Sequence, residues 1–227
     1  MKAHIPSTVL FDWDGTLCDS GAASLRAFRA SLRDFGFEFT DEEYRTVYTP
    51  RWYHMYEAFK LPREIWKHAD QRWLHHYTSG EEPGLICGAP DVLAELSRRG
   101  IRTGIVTNGT RSRIEKELER MGLVSEFKAV VCHEDVTHSK PHPEGVLKAL
   151  ELAGCSTDSC WYVGDTPVDI EQGHNAGVFT VGVLTEYVSA DRMRESRPDL
   201  MLDNICELPD ALYRFTSTTS EKILGGT

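Results

Sequence analysis

Two acidic residues with a single residue between them follow a short apolar run near the start of the chain. Asp12 and Asp14 come after Val9-Leu10-Phe11 and before Gly15. Such a run predicts a buried strand that ends in a turn, and alternation along the strand predicts that both carboxylates face one side. Neighbouring carboxylates repel each other unless a proton or a cation separates them. The stretch therefore predicts a metal or phosphoryl site, with a solvated Asp-Gly turn as the ordinary alternative.

Three later segments carry the polar groups that such a site needs. Thr107-Asn108-Gly109 offers a hydroxyl and backbone N–H groups that can surround an anion. Lys140 supplies a cation in a Lys-Pro-His-Pro segment, and Asp165 and Asp169 form a second pair of acids. Each segment alone is common as a turn or as surface decoration. All three follow predicted strands, however, and the carboxyl ends of parallel strands meet at one edge of a sheet.

The elements that must position these residues alternate between strand and helix from residue 84 onward. Beyond the first strand, the predicted strands span residues 102–106, 128–132, 160–163, 179–183 and 200–202. The predicted helices span residues 91–99, 112–121, 144–153 and 167–176. This order is typical of an α/β fold with a mainly parallel sheet covered on both faces. We expect residues 1–18 and 84–215 to form this core and residues 216–227 to form a loose tail.

Residues 19–83 interrupt the alternation, because they contain no strand pattern. Apolar spacing predicts a helix over residues 20–35, a second that begins at a capping box on Thr40 and ends before Pro50, and a third over residues 62–77. The segment is also rich in aromatic residues, which favours a small core of its own. We therefore expect an inserted all-helical domain at residues 19–83.

Composition excludes several classes of partner. The 227 residues carry a net charge of −10, from 25 basic and 35 acidic residues, and contain no basic block, so we expect no nucleic-acid partner. Pro6 precedes the first apolar run and no run is long enough to cross a bilayer, so we expect neither a signal peptide nor membrane association. The chain has six cysteines and no C-x-x-C pair, so we expect reduced, mostly buried thiols in a cytoplasmic protein. They are Cys18, Cys87, Cys132, Cys155, Cys160 and Cys206.

Taken together, the four segments resemble the motifs of the haloacid dehalogenase-like hydrolase superfamily. The matching patterns are D-x-D-G-T at residues 12–16, the threonine at Thr107, the lysine at Lys140 and G-D-x-x-x-D at residues 164–169. The spacing is similar to that of members that carry a helical cap after the first motif. The resemblance implies a Rossmann-like, mainly parallel sheet core with an inserted all-helical cap.

The resemblance also implies a role for each matched residue. Asp12 would attack phosphorus and become an aspartyl phosphate, while Asp14 would act as the general acid and base. Mg²⁺ would be held by Asp12, the backbone carbonyl of Asp14 and Asp165, with Asp169 in support. The phosphoryl oxygens would be held by the remaining groups, namely Lys140, Thr107 and the N–H groups of Asn108 and Gly109.

Differences between this chain and other members of the superfamily narrow the range of reactions that the resemblance implies. Haloacid dehalogenases and phosphonate hydrolases lack the acid found here at Asp14, and members similar to β-phosphoglucomutase carry a cap histidine where this chain has Ser24. The chain therefore resembles phosphoglycolate phosphatase-like members. This predicts a magnesium-dependent phosphatase for a small phosphorylated metabolite, such as a phosphoglycolate-like compound or a sugar phosphate. A phosphosugar mutase and a catalytically idle binding module on the same fold are the alternatives.

Substrate choice is expected to depend on the cap. Arg51 and His54 offer charge for a second anionic group on the substrate, although a solvated surface side chain is the more ordinary interpretation of each. The sequence fits a monomer or a homodimer.

Overall fold

A six-stranded parallel sheet forms the centre of the molecule in a computed structural model that describes residues 5–49 and 52–215. The strands lie in the order β3-β2-β1-β4-β5-β6. Their bounds are β1 Thr8–Phe11, β2 Arg102–Val106, β3 Ala129–Val131, β4 Cys160–Gly164, β5 Phe179–Val183 and β6 Leu200–Leu202. The parallel α/β core predicted from the sequence is confirmed.

Strand β1 is central because it is apolar on both faces. Val9 and Phe11 pack into the hydrophobic cluster on one side of the sheet, while Leu10 packs into the cluster on the other. Phe11 pairs with Ile105 of β2 and with Val163 of β4, so the carboxyl ends of three strands are level. The residues that follow these strands consequently emerge at the same edge.

Helices cover both faces of the sheet, as a mainly parallel sheet requires. Those of the core are α5 Ala89–Arg98, α6 Arg111–Met121, α7 Glu144–Ala153, α8 Pro167–Ala176 and α9 Ala190–Glu195, and a further helix begins at Leu208 and is described to residue 215. The sequence prediction matches α7 and α8 at both ends, because glycine terminates each in the left-handed conformation.

All of the regular secondary structure that is described in the inserted segment is helical. Its helices are α1 Gly21–Arg33, α2 Asp41–Val47, α3 Trp52–Ala58 and α4 Trp66–Thr78. An aromatic cluster holds them together, in which the Phe28 ring stacks on Tyr56 and meets Tyr44 edge-on. Helix α3 is not among the sequence predictions, because a seven-residue segment next to Pro50 shows too few turns to establish a helical period.

Two adjacent segments connect the insert to the core. Cys18 forms an antiparallel bridge with Leu85, and the Asp19 N–H donates to the Gly84 carbonyl at 2.9 Å. The division expected from the sequence, at residues 18/19 and 83/84, falls on this pair of segments. The tail expected at residues 216–227 lies outside the described residues.

The cysteines are free thiols, as expected, but fewer are buried than the sequence suggests. Cys18, Cys132 and Cys160 are buried, whereas Cys87 and Cys206 are exposed. Burial raises the pKa of the Cys132 thiol to about 11, which keeps that group protonated. In the part of the chain that the structure describes, none of the helices has the length and apolarity needed to span a membrane.

Candidate active site

A buried lysine joins the first and last motifs at the carboxyl edge of the sheet. The Lys140 ammonium lies 2.6 Å from Asp12 Oδ1 and 2.7 Å from Asp169 Oδ1. Burial raises the pKa of Asp12 to about 7, although the Lys140 ammonium acts in the opposite direction. Burial disfavours the charged form of Lys140 as well, but Asp12 and Asp169 outweigh it and hold the lysine pKa well above its usual value. The structure therefore brings together residues far apart in the sequence, as expected.

Three of the predicted metal ligands form one buried group. Asp12, Asp165 and Asp169 offer oxygens that all lie within 4.8 Å of one another. Burial, reinforced by the neighbouring acids, raises the pKa of Asp165 well above its usual value. With all three carboxylates ionised, a single ammonium would leave the group net negative. A hard divalent cation that prefers oxygen ligands fits this donor set and would favour the ionised forms.

The turn after β1 makes room for Asp165. Gly15 has a φ of +81°, and a Cβ at this position would lie 2.4 Å from Asp165 Oδ2. The Thr16 hydroxyl also donates to Asp165 Oδ1 at 3.2 Å. Glycine is thus required here both for its left-handed backbone and for the close approach of the carboxylate.

Asp169 is occupied by protein donors. Its Oδ2 accepts from the Thr166 hydroxyl at 2.5 Å and from the Thr166 N–H at 3.1 Å, while Oδ1 accepts from Lys140 and from Tyr162. Both oxygens of Asp169 therefore already accept hydrogen bonds from the protein.

The Asp14 side chain is held by a cation that sequence reasoning did not identify. Arg113 of α6 donates to Asp14 Oδ1 at 2.9 Å and to Oδ2 at 2.5 Å. Burial acts to raise the pKa of Asp14, but the Arg113 guanidinium outweighs it and lowers the pKa below its usual value. Strand β1 ends at Phe11, so the alternation argument does not extend to Asp14. The two acids of the first motif have different cationic partners.

Sequence reasoning also missed Glu117, which lies one turn after Arg113 on the same helix. Both are buried together with Ile114 and Leu118. The available signal was their spacing, because residues three or four apart share one face of a helix. Arg113 and Glu117 stand beside the apolar positions of α6, and this placement indicates that the two charged side chains make a buried polar contact.

The loop after β2 places the predicted phosphate-binding groups beside Asp12 and Lys140. Thr107 is buried, and its Oγ1 accepts the Gly109 N–H at 2.9 Å. Asn108 Oδ1 accepts the Lys140 backbone N–H at 3.4 Å. The Gly109 N–H thus donates within the loop, whereas we expect from the sequence that it donates to an anion. This bond orients the Thr107 hydroxyl, which still has its own hydrogen to donate.

A cavity of about 450 Å³ lies between the helical insert and this loop. His54 lines it, as the sequence predicts for a substrate contact, whereas Arg51 lies outside the described residues. Asp70 also lines the cavity, and burial raises its pKa above the usual value. The other lining residues are mainly aromatic, apolar or polar without charge: Tyr53, Gln71, Trp73, Leu74, Asn108, Gly109, Thr110, His133 and Ser139, together with Arg113 and Lys140.

Comparison with known proteins identifies the family of the chain. Residues 9–183 match the family model described as haloacid dehalogenase-like hydrolase. The chain therefore belongs to the haloacid dehalogenase-like hydrolase family, and its helical insert corresponds to the cap of that family.

Named relatives and solved structures extend over most of the chain. It is 31% identical to pyrophosphatase PpaX of Bacillus mycoides, over 92% of this chain and 97% of that protein. A haloacid dehalogenase-like hydrolase structure from Bacteroides fragilis superposes with a TM-score of 0.81 at 26% identity, over 89% of this chain and 99% of the other. A predicted phosphoglycolate phosphatase from Haemophilus somnus, at 21% identity and a TM-score of 0.79, covers 90% of this chain and 97% of its own and shares the fold.

Proposed function

We propose that this protein is a magnesium-dependent phosphatase that hydrolyses a small phosphorylated metabolite through an aspartyl phosphate on Asp12. The observation that carries the proposal is the burial of Asp12 against Lys140, which itself lines a cavity large enough for a small metabolite. A buried carboxylate with a fixed ammonium partner is oriented for attack, and family membership supports the chemistry.

The acidic group supports a magnesium site. Asp12, Asp165 and the backbone carbonyl of Asp14 would hold the ion, with Asp169 supporting through Lys140 and Thr166. When bound, magnesium offsets the charge of the acids and of the phosphoryl group and polarises the phosphoryl oxygens. Without such a cation, the buried acids would repel a phosphate dianion.

Asp12 forms a bond to phosphorus while the bond from phosphorus to the leaving oxygen breaks. Lys140 offsets negative charge on Asp12 and on the phosphoryl oxygens, and the Thr107 hydroxyl donates to one of those oxygens. Forming the covalent intermediate divides one difficult displacement into two easier ones.

Asp14 transfers protons in both halves of the reaction. It protonates the leaving oxygen in the first half and takes a proton from the attacking water in the second, and such help is worth about 10²–10⁴-fold in rate. Its pKa is lowered by Arg113, so the structure has Asp14 in the form that accepts a proton from water. Because Asp14 starts ionised, it must take up a proton when the substrate binds, either from a protonated phosphate group of the substrate or from water, and it then passes that proton to the leaving oxygen.

Two substrate classes deserve a direct comparison. The motif layout supports a phosphoglycolate-like compound or a sugar phosphate, whereas the curated relatives named pyrophosphatase favour inorganic pyrophosphate as a second candidate. The test is phosphate release with magnesium from phosphoglycolate, sugar phosphates, pyrophosphate and a chromogenic aryl phosphate. Release from none of them, by protein free of other phosphatases, would refute the proposed function and favour an idle binding module.

A phosphosugar mutase is the enzymatic alternative. It would return the phosphoryl group to another hydroxyl of the sugar instead of to water. Phosphorus NMR of a sugar phosphate reaction distinguishes the two, because hydrolysis yields inorganic phosphate and transfer yields an isomeric sugar phosphate.

A further inference from the structure

A buried polar cluster connects the cap helix α4 to Asp14. We call it the Arg113 cluster, and its members are Trp13, Asp14, Tyr77, Arg113 and Glu117. Only Tyr77 belongs to the cap, since α6 supplies Arg113 and Glu117. Arg113 is 6% exposed and Glu117 is 7% exposed, so these charges are almost entirely out of water.

Arg113 is the centre of the cluster. Besides both oxygens of Asp14, its guanidinium donates to Glu117 Oε1 at 3.1 Å and to the Tyr77 hydroxyl oxygen at 3.3 Å. The guanidinium carbon also lies 5.2 Å from the centre of the Tyr77 ring. One cation is thereby held by two carboxylates and one aromatic side chain.

Glu117 is fixed independently of Arg113. Its Oε2 accepts from the Trp13 indole N–H at 2.6 Å, and its Oε1 accepts from the Tyr77 hydroxyl at 3.3 Å. Trp13 itself is fully buried and packs edge-on against Phe127, so it provides a rigid support. Burial raises the pKa of Glu117, although Arg113 acts in the opposite direction.

The backbone is shaped to admit Arg113. A Cβ on Gly109 would lie 2.4 Å from Arg113 Nη2, so glycine in the phosphate-binding loop leaves the space that the guanidinium occupies. The Arg113 side chain therefore reaches Asp14 by passing directly beside this loop. The same cluster touches the loop, the first motif and the cap.

The geometry of the Arg113–Asp14 pair bears on proton transfer. A planar guanidinium that binds both oxygens of a carboxylate fixes the rotation of that group, which a lysine ammonium does not. Proton transfer requires the carboxylate to be within hydrogen-bond reach of the leaving oxygen, so its orientation affects the rate of the chemical step. A buried ion pair that only stabilised the fold would have no such effect.

We infer that Arg113 is a positioning residue for the acid–base group Asp14, and that Glu117 and the cap residue Tyr77 hold Arg113 in place. The orientation of Asp14 thus depends on docking of α4 against the core. The inference rests on the proposed phosphatase function and deepens it, since it names the groups that make the acid–base step sensitive to the cap.

The test compares Arg113→Lys with Arg111→Lys, a matched control two residues earlier on α6. Arg111 pairs with Glu115 and Asp135 and has no contact with the Arg113 cluster. Each variant is assayed at saturating magnesium with an alkyl phosphate and with aryl phosphates of increasingly acidic phenols. Lysine keeps the charge and removes the two-point contact.

We expect Arg113→Lys to lower kcat for the alkyl ester by about 10–100-fold, because this leaving oxygen needs the proton most. The loss should shrink as the phenol becomes more acidic, with KM and the magnesium requirement nearly unchanged. The Arg111→Lys variant should behave as wild type with every ester. Equal losses for all esters, or a change confined to KM, would overturn the inference.

Tyr77→Phe tests the cap contact without removing a charge. It keeps the ring and deletes the hydroxyl, so we expect the same dependence on the leaving group with a loss of about fivefold, the effect of one ordinary hydrogen bond. Loss of kcat that is the same for all esters would contradict the role assigned to Tyr77.

A spectroscopic readout separates positioning from damage to the fold. In a 1H–15N spectrum, the resonance of the Trp13 indole N–H reports on the hydrogen bond from this group to Glu117. The resonance is assigned by its absence from the spectrum of Trp13→Phe. If the resonance stays in place in Arg113→Lys while the leaving-group dependence changes, the inference stands. If the resonance moves to the position of a free indole and all rates fall together, Arg113 is structural and the inference fails.

Failure of the inference differs from failure of the proposed function. If wild type releases no phosphate from any ester, the function is wrong and the inference falls with it. If wild type is active and Arg113→Lys matches Arg111→Lys, the inference alone is wrong.

Discussion

Lys140 makes ion pairs with both Asp12 and Asp169, at 2.6 Å and 2.7 Å, and all three side chains are buried. The pairing connects the loop after β3 to the residue that follows β1 and to the first turn of α8, so it is an electrostatic link between three of the motifs. Removing one member of a buried ion pair leaves its partners uncompensated, which is costly.

The first prediction is that Lys140→Met abolishes turnover and destabilises the protein. In the absence of magnesium we expect the free energy of unfolding to fall by about 3–5 kcal/mol, because two buried acids lose their counter-charge. Urea denaturation measures this change, and Lys116→Met on the exposed face of α6 is the control. A loss equal to that of the control would show that Lys140 does not balance these acids.

The second prediction concerns the metal. Chelation should stop phosphate release and magnesium should restore it, while calcium should inhibit because its looser coordination disturbs the geometry of Asp12. Asp165→Asn should raise the magnesium concentration needed for half-maximal rate by about tenfold or more, because it removes a charged ligand. Full activity after exhaustive chelation would exclude this role for Asp165.

The metal experiment needs one control. His138, His142 and Glu144 form a second group whose ligand atoms lie within 4.8 Å of one another. The two histidines are exposed on the loop that carries Lys140, and Glu144 is the first residue of α7. A variant with His138→Ala and His142→Ala should keep the wild-type magnesium requirement. An altered requirement in that variant would assign the metal effect to the exposed group instead of the buried acids.

The third prediction separates Asp14 from the metal ligands. Asp14→Asn retains the backbone carbonyl, so it should bind magnesium nearly normally yet remain slow at saturation. Turnover of an alkyl phosphate should fall most. An aryl phosphate with an acidic phenol should show a burst and then accumulate phosphoenzyme, because the variant has no base to activate the attacking water. Rapid-quench measurement of both esters checks this. Equal losses, with no burst, would remove Asp14 from the acid–base role.

The fourth prediction addresses specificity. His54 lines the cavity, and Arg51 lies three residues before it in the sequence. Replacing either by alanine should raise KM for a substrate with a second anionic group, such as phosphoglycolate, more than it lowers kcat. For an aryl phosphate without that group, KM should change less. An equal rise in KM for both substrates would argue against a second anion site at these residues.

Much of the core could be predicted because local signals and the overall fold agree. The strand over residues 179–183 is largely apolar, and the helix over residues 144–153 has an apolar period and a glycine after its last residue. The helix over residues 167–176 begins at a proline and is also followed by glycine, and the structure places all three elements at those residues. The four motifs converge for a topological reason, since each follows a parallel strand. Contact between Asp12 and Lys140 is therefore foreseeable without coordinates.

The parts that escaped prediction depend on long-range packing. The spacing of Arg113 and Glu117 beside the apolar positions of α6 indicates burial but not the partner. Only the fold brings Arg113 to Asp14, which is 99 residues earlier. Helix α3 is too short to show a period. The Gly109 N–H donates to the Thr107 hydroxyl oxygen because of the conformation of the loop, and residue types alone do not determine that conformation.

The most direct test of the proposed mechanism is the identity of the phosphorylated residue. Wild-type protein is mixed with magnesium and a labelled aryl phosphate, quenched with acid within one turnover, digested and mapped by mass spectrometry. The proposed mechanism predicts that the phosphoryl group is on Asp12 and that Asp12→Asn, which keeps the size and removes the charge, carries no label and shows no turnover. Phosphate release by wild type with no covalent label, or with the label on another residue, would contradict it.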